Sequence, residues 1–168
     1  ICLPTPFTKK RPDISRITSA FKRLTPFLRK NQTIILESTV YPGATKEIFY
    51  KNLSKKIKVG TNFFLCYSPE RLSPGQTDKK VFKYFLENTP KVISGYNYLS
   101  LQKVNFLYKK IFDKLCKVES LEIAEMSKLV ENSYRSVNIG LVNELKVVCS
   151  KLNLDINKVI ETAGTKPF

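Results

Sequence analysis

The 168-residue chain contains no histidine. That absence excludes a Ser-His-Asp or Cys-His mechanism within these residues and a histidine-based metal site. Acid-base chemistry here falls to carboxylates, Lys, Tyr, Cys or a positioned water. No uninterrupted apolar run approaches the length that crosses a bilayer, so no membrane partner is expected. No basic n-region followed by an apolar h-region opens the chain, and no signal peptide is read. The first residue is Ile1 rather than Met, and the natural N-terminus is expected upstream. The four cysteines, Cys2, Cys66, Cys116 and Cys149, form no Cys-x-x-Cys pair and no cluster. A zinc site and a disulfide-stapled secreted domain are therefore disfavoured, no metal is expected, and a reducing cytoplasm is the expected location. All four cysteines read as small core hydrophobes.

What is present is a core-forming composition, 42% apolar, with a formal charge of +15. Such a charge raises the possibility of a basic nucleic-acid-binding module. The lysines, however, are spread along the whole chain rather than gathered in one block with aromatics between them. A solvated lysine-rich surface or an anionic small substrate accounts for the charge as well, and no nucleic-acid partner is expected.

Ile1-Cys2-Leu3 reads as the end of a buried strand stopped by Pro4-Thr5-Pro6. A helix capped by Asp13 runs to about Lys30, with Pro26 placed to kink or shorten it. Short continuously apolar runs at Thr33–Leu36, Phe63–Cys66, Lys91–Gly95 and Lys117-Val118 read as strands. Helices are expected near Ala44–Lys55 and Tyr98–Phe112, and Ser68–Thr77 is a Pro- and Gly-rich loop. Strands alternating with helices predict βαβ units, and continuously apolar strands predict a parallel sheet covered on both faces.

From Leu121 the pattern changes. Met126, Val130, Tyr134, Val137, Leu141, Leu145, Val148 and Leu152 recur at helical spacing, predicting one helix on the order of 45 Å long with this row as its core face. Asn153 ends it, and Asp155 caps a further helix to about Thr162. A domain boundary is expected near residue 119.

Four patterns carry chemistry: Pro4-Thr5-Pro6; Glu37-Ser38-Thr39-Val40-Tyr41-Pro42-Gly43; Tyr67-Ser68-Pro69-Glu70-Arg71; and Glu125 through Ile139, closed by Asn143-Glu144. Taken singly, each has an ordinary reading. Glu70 is a solvated carboxylate or a partner of Arg71. Lys128, Asn132 and Arg135 lie opposite the apolar row, where solvated residues belong. Thr39 is a strand-end hydroxyl bonded to nearby backbone. Pro4-Thr5-Pro6 is a rigid turn without a ligand.

Their order and spacing together resemble the UDP-glucose/GDP-mannose dehydrogenase family over essentially the whole chain. The resemblance implies an α/β fold: residues 1–119 as the later half of a doubly wound, Rossmann-type NAD-binding sheet, and residues 120–168 as the start of an all-α central dimerisation domain. It implies NAD-dependent oxidation of the C6 alcohol of a UDP-sugar to a uronic acid in two steps, through a cysteine thiohemiacetal and thioester. In that frame Glu70 is the base for the hydrolytic water, and Lys128 and Asn132 stabilise the oxyanion at C6. Thr39 lies near the nicotinamide and the catalytic water, and Pro4 and Thr5 pass the cofactor. Arg71, Leu72, Lys128, Asn132 and Arg135 contact substrate, and the 121–152 helix pairs two subunits as a homodimer.

Within the family, Glu37–Gly43 and Ala163–Phe168 are most like the members acting on UDP-N-acetylglucosamine, with UDP-N-acetylmannosamine and UDP-glucose as alternatives, and Pro74-Gly75 resembles the acetamido-sugar branch. Lys79–Asn88 fits the pattern poorly and receives no role. The family's Gly-x-Gly-x-x-Gly loop and nucleophilic cysteine are not found in the chain and are expected upstream and downstream of it. The segment by itself is accordingly expected neither to bind NAD tightly nor to turn over, and its sheet is expected to have an unpaired edge. An inactive remnant of a dehydrogenase gene is a further alternative.

Overall fold

A computed structural model describes residues 1–8, 10–50, 53, 57–71 and 78–166. Two compact units divide it, Ile1–Leu129 and Val130–Phe168. The division falls beyond residue 119 because the first turns of the long helix pack into the first unit, where Leu121 and Ala124 join the main core.

The first unit opens with residues that run beside a strand. The amino group of Ile1 donates to the Ile35 carbonyl at 2.7 Å, and the Glu37 N–H donates to the Ile1 carbonyl at 2.8 Å. A small hairpin unforeseen in the sequence follows, β1 (Phe7–Thr8) and β2 (Arg11–Pro12), turned by Lys10 at φ +61°. Helix α1 (Ser15–Leu24) buries Ile17 and Phe21. Pro26 sits in a 3₁₀ turn, Thr25–Phe27, so the helix is shortened rather than kinked. Next come β3 (Gln32–Leu36), α2 (Ala44–Tyr50) and β4 (Phe63–Tyr67). Helix α3 (Lys79–Asn88) occupies the stretch that had no assigned role. It leads to β5 (Lys91–Gly95), α4 (Tyr98–Tyr108) and β6 (Leu115–Lys117). The side chain of Asn97 caps α4 by accepting from the Ser100 N–H at 3.0 Å.

The sheet order is β3-β4-β5-β6, and here the expectation of a parallel sheet is corrected. β3 pairs with β4 in parallel and β5 with β6 in parallel, but β4 and β5 are antiparallel, with Cys66 opposite Gly95 and Tyr67 opposite Ser94. The sheet is mixed. Apolar periodicity reports which faces are buried, not strand direction, so it could not show the reversal. β4 and β5 are buried at every position, as strands covered on both faces must be. β3 instead alternates, with Ile34 and Leu36 inward.

The core gathers Phe21, Leu36, Phe49, Phe63, Leu65 and Tyr67 between sheet and helices, each inaccessible to solvent. Each of the Phe and Leu side chains contributes about 1.5–3 kcal/mol by leaving water. Phe21 of α1 meets Phe49 of α2 with ring centroids 4.3 Å apart. Cys66 is buried and Cys149 nearly so, while Cys2 and Cys116 are exposed, so only two of the four cysteines are core residues. Cys116 lies in β6, at the sheet's edge, where one side of the strand meets solvent.

Helix α5 (Leu121–Lys151) runs unbroken until Asn153 takes a left-handed conformation at φ +55° and the Leu154 N–H closes on the Cys149 carbonyl at 2.9 Å. Asp155 then caps α6 (Ile156–Ala163), accepting from the Asn157 N–H at 2.9 Å. The row from Met126 to Leu152, expected as core, is exposed throughout, from 42% at Leu145 to 73% at Tyr134. The spacing identifies an apolar face correctly, but none of the described residues covers it. No helix among the described residues is long and apolar enough to cross a membrane.

Candidate functional site

The loops after β3 and β4 leave the sheet at the same end because those two strands are parallel. Their continuation is hydrogen-bonded: the Ser68 N–H donates to the Leu36 carbonyl at 3.0 Å and the Glu70 N–H to the Glu37 carbonyl at 3.4 Å. Glu37–Gly43 and Tyr67–Arg71 are thereby laid side by side. The antiparallel β5 brings its first residue to this end as well. Its register with β4, continued, sets Lys91 opposite Glu70.

Ion pairing follows that register. Lys91 is only 4% exposed, and its Nζ lies 3.2 Å from Glu70 Oε2 and 3.5 Å from Glu37 Oε1. The Tyr108 hydroxyl of α4 donates to the same Glu37 oxygen. The rings of Tyr108 and Phe112 lie 5.7 and 5.5 Å from the ammonium, close enough for cation–π attraction. Glu70 Oε1 accepts from the Arg71 backbone N–H at 2.8 Å, and the Arg71 guanidinium donates to the Pro90 carbonyl at 2.8 Å. Glu70 remains 40% exposed, so one carboxylate reaches solvent from a buried network. Burial, with the Glu37 carboxylate next in importance, holds the Tyr108 hydroxyl well above its usual range, so it stays a donor.

Thr39 and Thr5 come together beside this cluster. The Thr5 hydroxyl donates to the Thr39 carbonyl at 2.8 Å, and Ser38 Oγ accepts from the Leu3 N–H at 2.7 Å. Thr39 and Thr5 are half-buried and Pro4 is exposed. The two turns at the carboxyl ends of neighbouring extended segments are thus tied to one another, which is where open α/β sheets receive ligands.

On α5, Lys128 is half-buried at the end of the first unit. In the second unit, Asn132 is half-buried and Arg135 exposed. The Arg135 guanidinium donates to Asn132 Oδ1, so the amide's own donors, on Nδ2, are the atoms that can meet an anion. Leu72 and Pro74-Gly75 lie outside the described residues.

Three participants were passed over in the sequence. Lys91 was read only as the opening of a strand, although a lysine beginning an otherwise apolar, doubly covered strand is unusual enough to mark it. Glu37 was read only as part of its motif. Glu125, wholly buried, accepts from the Gly43 N–H at 2.5 Å and the Thr45 N–H at 2.9 Å. Cys66 is not placed to act as a nucleophile: burial pushes its thiol up to about 12, and it donates to the Ser100 carbonyl at 3.2 Å.

A mixed α/β sheet with polar loops gathered at the carboxyl ends of its parallel pair, continued by a long helix, is the architecture of Rossmann-type nucleotide-sugar dehydrogenases. The chain belongs to the UDP-glucose/GDP-mannose dehydrogenase family. Residues 1–112 match the family's NAD binding domain and residues 122–168 its central domain. It is 35% identical over 170 residues to a UDP-N-acetyl-D-glucosamine 6-dehydrogenase of Pseudomonas aeruginosa, covering 99% of this chain and 39% of that protein. It is 33% identical to a UDP-N-acetyl-D-mannosamine dehydrogenase of Methanococcus maripaludis, covering 99% of this chain and 38% of that protein. A solved UDP-D-ManNAc dehydrogenase from Pyrococcus horikoshii superposes with a TM-score of 0.87 at 30% identity, over 99% of this chain and 39% of that one. The chain spans about 39% of the length of the first curated relatives it matches.

Proposed function

We propose that the protein to which this chain belongs is an NAD-dependent nucleotide-sugar 6-dehydrogenase, oxidising the C6 alcohol of UDP-N-acetylglucosamine to a uronic acid. The observation that carries the reading is the convergence of Glu70, Glu37, Lys91, Thr39 and Thr5 at one end of the sheet. A half-exposed carboxylate anchored by a buried ammonium is what a base for a hydrolytic water requires: ionised, oriented and reachable. Glu70 takes a proton from that water. Lys128 and Asn132 donate to the oxygen on C6 as charge develops there. Arg71, Leu72 and Arg135 hold the substrate.

The residues present fit the nicotinamide end of NAD. Pro4 and Thr5 form one turn, Thr39 the next, and the hydrogen bond between them gives the cofactor a fixed wall. NAD supplies the hydride acceptor. Residues 1–119 form part of its domain and residues 120–168 begin the central helical domain. The exposed apolar row on α5 supports a homodimer through the 121–152 helix, since a second copy would cover what this chain leaves bare.

The relatives named for UDP-N-acetylmannosamine support that sugar as the second reading. NADH formation by the full-length protein with each UDP-sugar separates the two. Glu70→Gln in the same protein should slow thioester hydrolysis far more than the first oxidation. A covalent sugar–enzyme species should then accumulate in the mass spectrum, and normal turnover by this variant would remove Glu70 from the role.

A further inference from the structure

Lys91 lies between two carboxylates in the first unit, and it is almost wholly buried there. It rises from the first position of β5, so its backbone is fixed by the sheet. Its own N–H donates to the Lys114 carbonyl at 2.9 Å. Its ammonium lies near the rings of Tyr108 and Phe112. A long flexible side chain with so little rotamer freedom left is suited to hold a partner still.

Glu70 sits beyond the end of β4 with no secondary structure of its own. Among the described residues, the groups facing it are Lys91 from β5, Glu37 from the exit of β3, and Arg71 from its own loop. Tyr108 of α4 stands behind Glu37, and the Cys66 thiol is buried nearby. Arg71 spends a guanidinium hydrogen bond on Pro90, the residue before Lys91, so loop and strand are joined twice. The two carboxylates compete for one ammonium, and the Tyr108 hydroxyl donates to the same Glu37 oxygen that faces Lys91.

We propose that Lys91 is a positioning residue for the reaction: it orients the Glu70 carboxylate and keeps it ionised, while Glu37, held by Tyr108, sets how much of the Lys91 charge Glu70 receives. This rests on the reading of Glu70 as the base for hydrolysis. It adds a specific division of labour. Lys91 touches neither sugar nor cofactor in this account; it acts through Glu70. Glu37 acts through Lys91.

The test uses the full-length enzyme and measures thioester hydrolysis in single turnover across pH. In Lys91→Met the acid limb of the profile should move upward by on the order of one pH unit, since an opposite charge within about 4–6 Å of a carboxylate favours its ionised form. Lys91→Arg should restore the limb towards its original position. In Glu37→Gln the limb should move the other way, downward, because the competing carboxylate is gone. A purely structural lysine would lower the rate at every pH and leave the limb in place, which would overturn the proposal. If Lys91→Met does not fold, Lys91→Arg and Glu37→Gln carry the test: an unmoved limb in Glu37→Gln overturns it. Glu70→Gln separates the two ideas. If that variant hydrolyses normally, the reading of Glu70 is lost. If it blocks hydrolysis while the Lys91 and Glu37 variants leave the limb unmoved, only the positioning role is lost.

Discussion

The carboxylate of Glu125, from the first turns of α5, accepts hydrogen bonds from the backbone of Gly43 and Thr45 at the start of α2. It fills the donor positions that a helix start leaves open, from eighty residues away in the chain. Nearby, Lys46 of α2 pairs with Glu122 of α5 at 2.6 Å, but that pair is open to solvent and adds little. Glu125 is therefore the principal polar tie between the helix and the loop that carries Thr39. Replacing it by alanine would orphan two backbone donors, one of them fully buried, and should cost roughly 2–4 kcal/mol. Chemical denaturation of the chain checks this, and a loss below half a kcal/mol would contradict it.

The same residue predicts a pH dependence. Burial, outweighing the hydrogen bonds from Thr45 and Gly43, raises the Glu125 carboxyl above its ordinary value of 4.5. The folded state then binds this proton more tightly than the unfolded state does. Its contribution to stability is complete below pH 4.5 and is lost as pH rises through the raised folded value. In Glu125→Gln that component disappears. The stability of wild type relative to the variant should therefore fall between acid and neutral pH, measured as denaturant midpoints. Parallel profiles would show that Glu125 does not titrate differently on folding.

Gly95 closes β5 directly against α4. A Cβ there would stand 2.2 Å from the Leu101 nitrogen and 2.7 Å from the Ser100 carbonyl carbon. Both are backbone, so neither can rotate aside. Gly95→Ala should force strand and helix apart at a cost of 3 kcal/mol or more, about the upper end for overpacking a core. A melting temperature within two or three degrees of wild type would show that the helix can shift.

Lys128→Ala in the full-length enzyme should reduce kcat far more than it raises KM. A donor to an oxyanion acts on charge that is absent from the ground state. Losing one such group typically removes about 10²–10³ in rate. An effect confined to KM would make Lys128 a binding residue only.

The cysteines should divide by reactivity under native conditions. Cys116 is exposed and should alkylate readily, whereas Cys66, buried and with its thiol pushed up to about 12, should resist until the chain unfolds. Mass spectrometry after a brief iodoacetamide pulse reads both. Early labelling of Cys66 would mean that β4 opens far more easily than its burial implies.

Much of the local structure was readable from residue order. Helical spacing located α1 and α5, a helix was expected where α4 stands, Pro26 shortened α1, and Asn153 and Asp155 ended one helix and began the next. These are short-range effects, decided within a turn or two of chain. The hairpin at Phe7–Pro12 has strands too short to show a period; helix α3 was missed although Val81, Phe82, Phe85 and Leu86 recur at helical spacing in the sequence. The Glu37, Thr39 and Glu70 loops were visible as motifs, since loop residue types at fixed spacing survive without any knowledge of packing.

Strand direction, the partners of charged groups and the covering of apolar faces were settled only in three dimensions. An apolar strand reads the same in either direction, yet only the antiparallel course of β5 puts Lys91 beside Glu70; run in parallel, it would deliver that ammonium to the opposite end of the sheet. Likewise the row from Met126 to Leu152 announces an apolar face, but residue order cannot say whether its cover lies in the same chain. Sequence by itself determined which segments form and which residue types stand at their ends. The tertiary structure decided which ends meet, because Coulombic and hydrogen-bond energies depend on distances of a few ångströms between residues far apart in the chain.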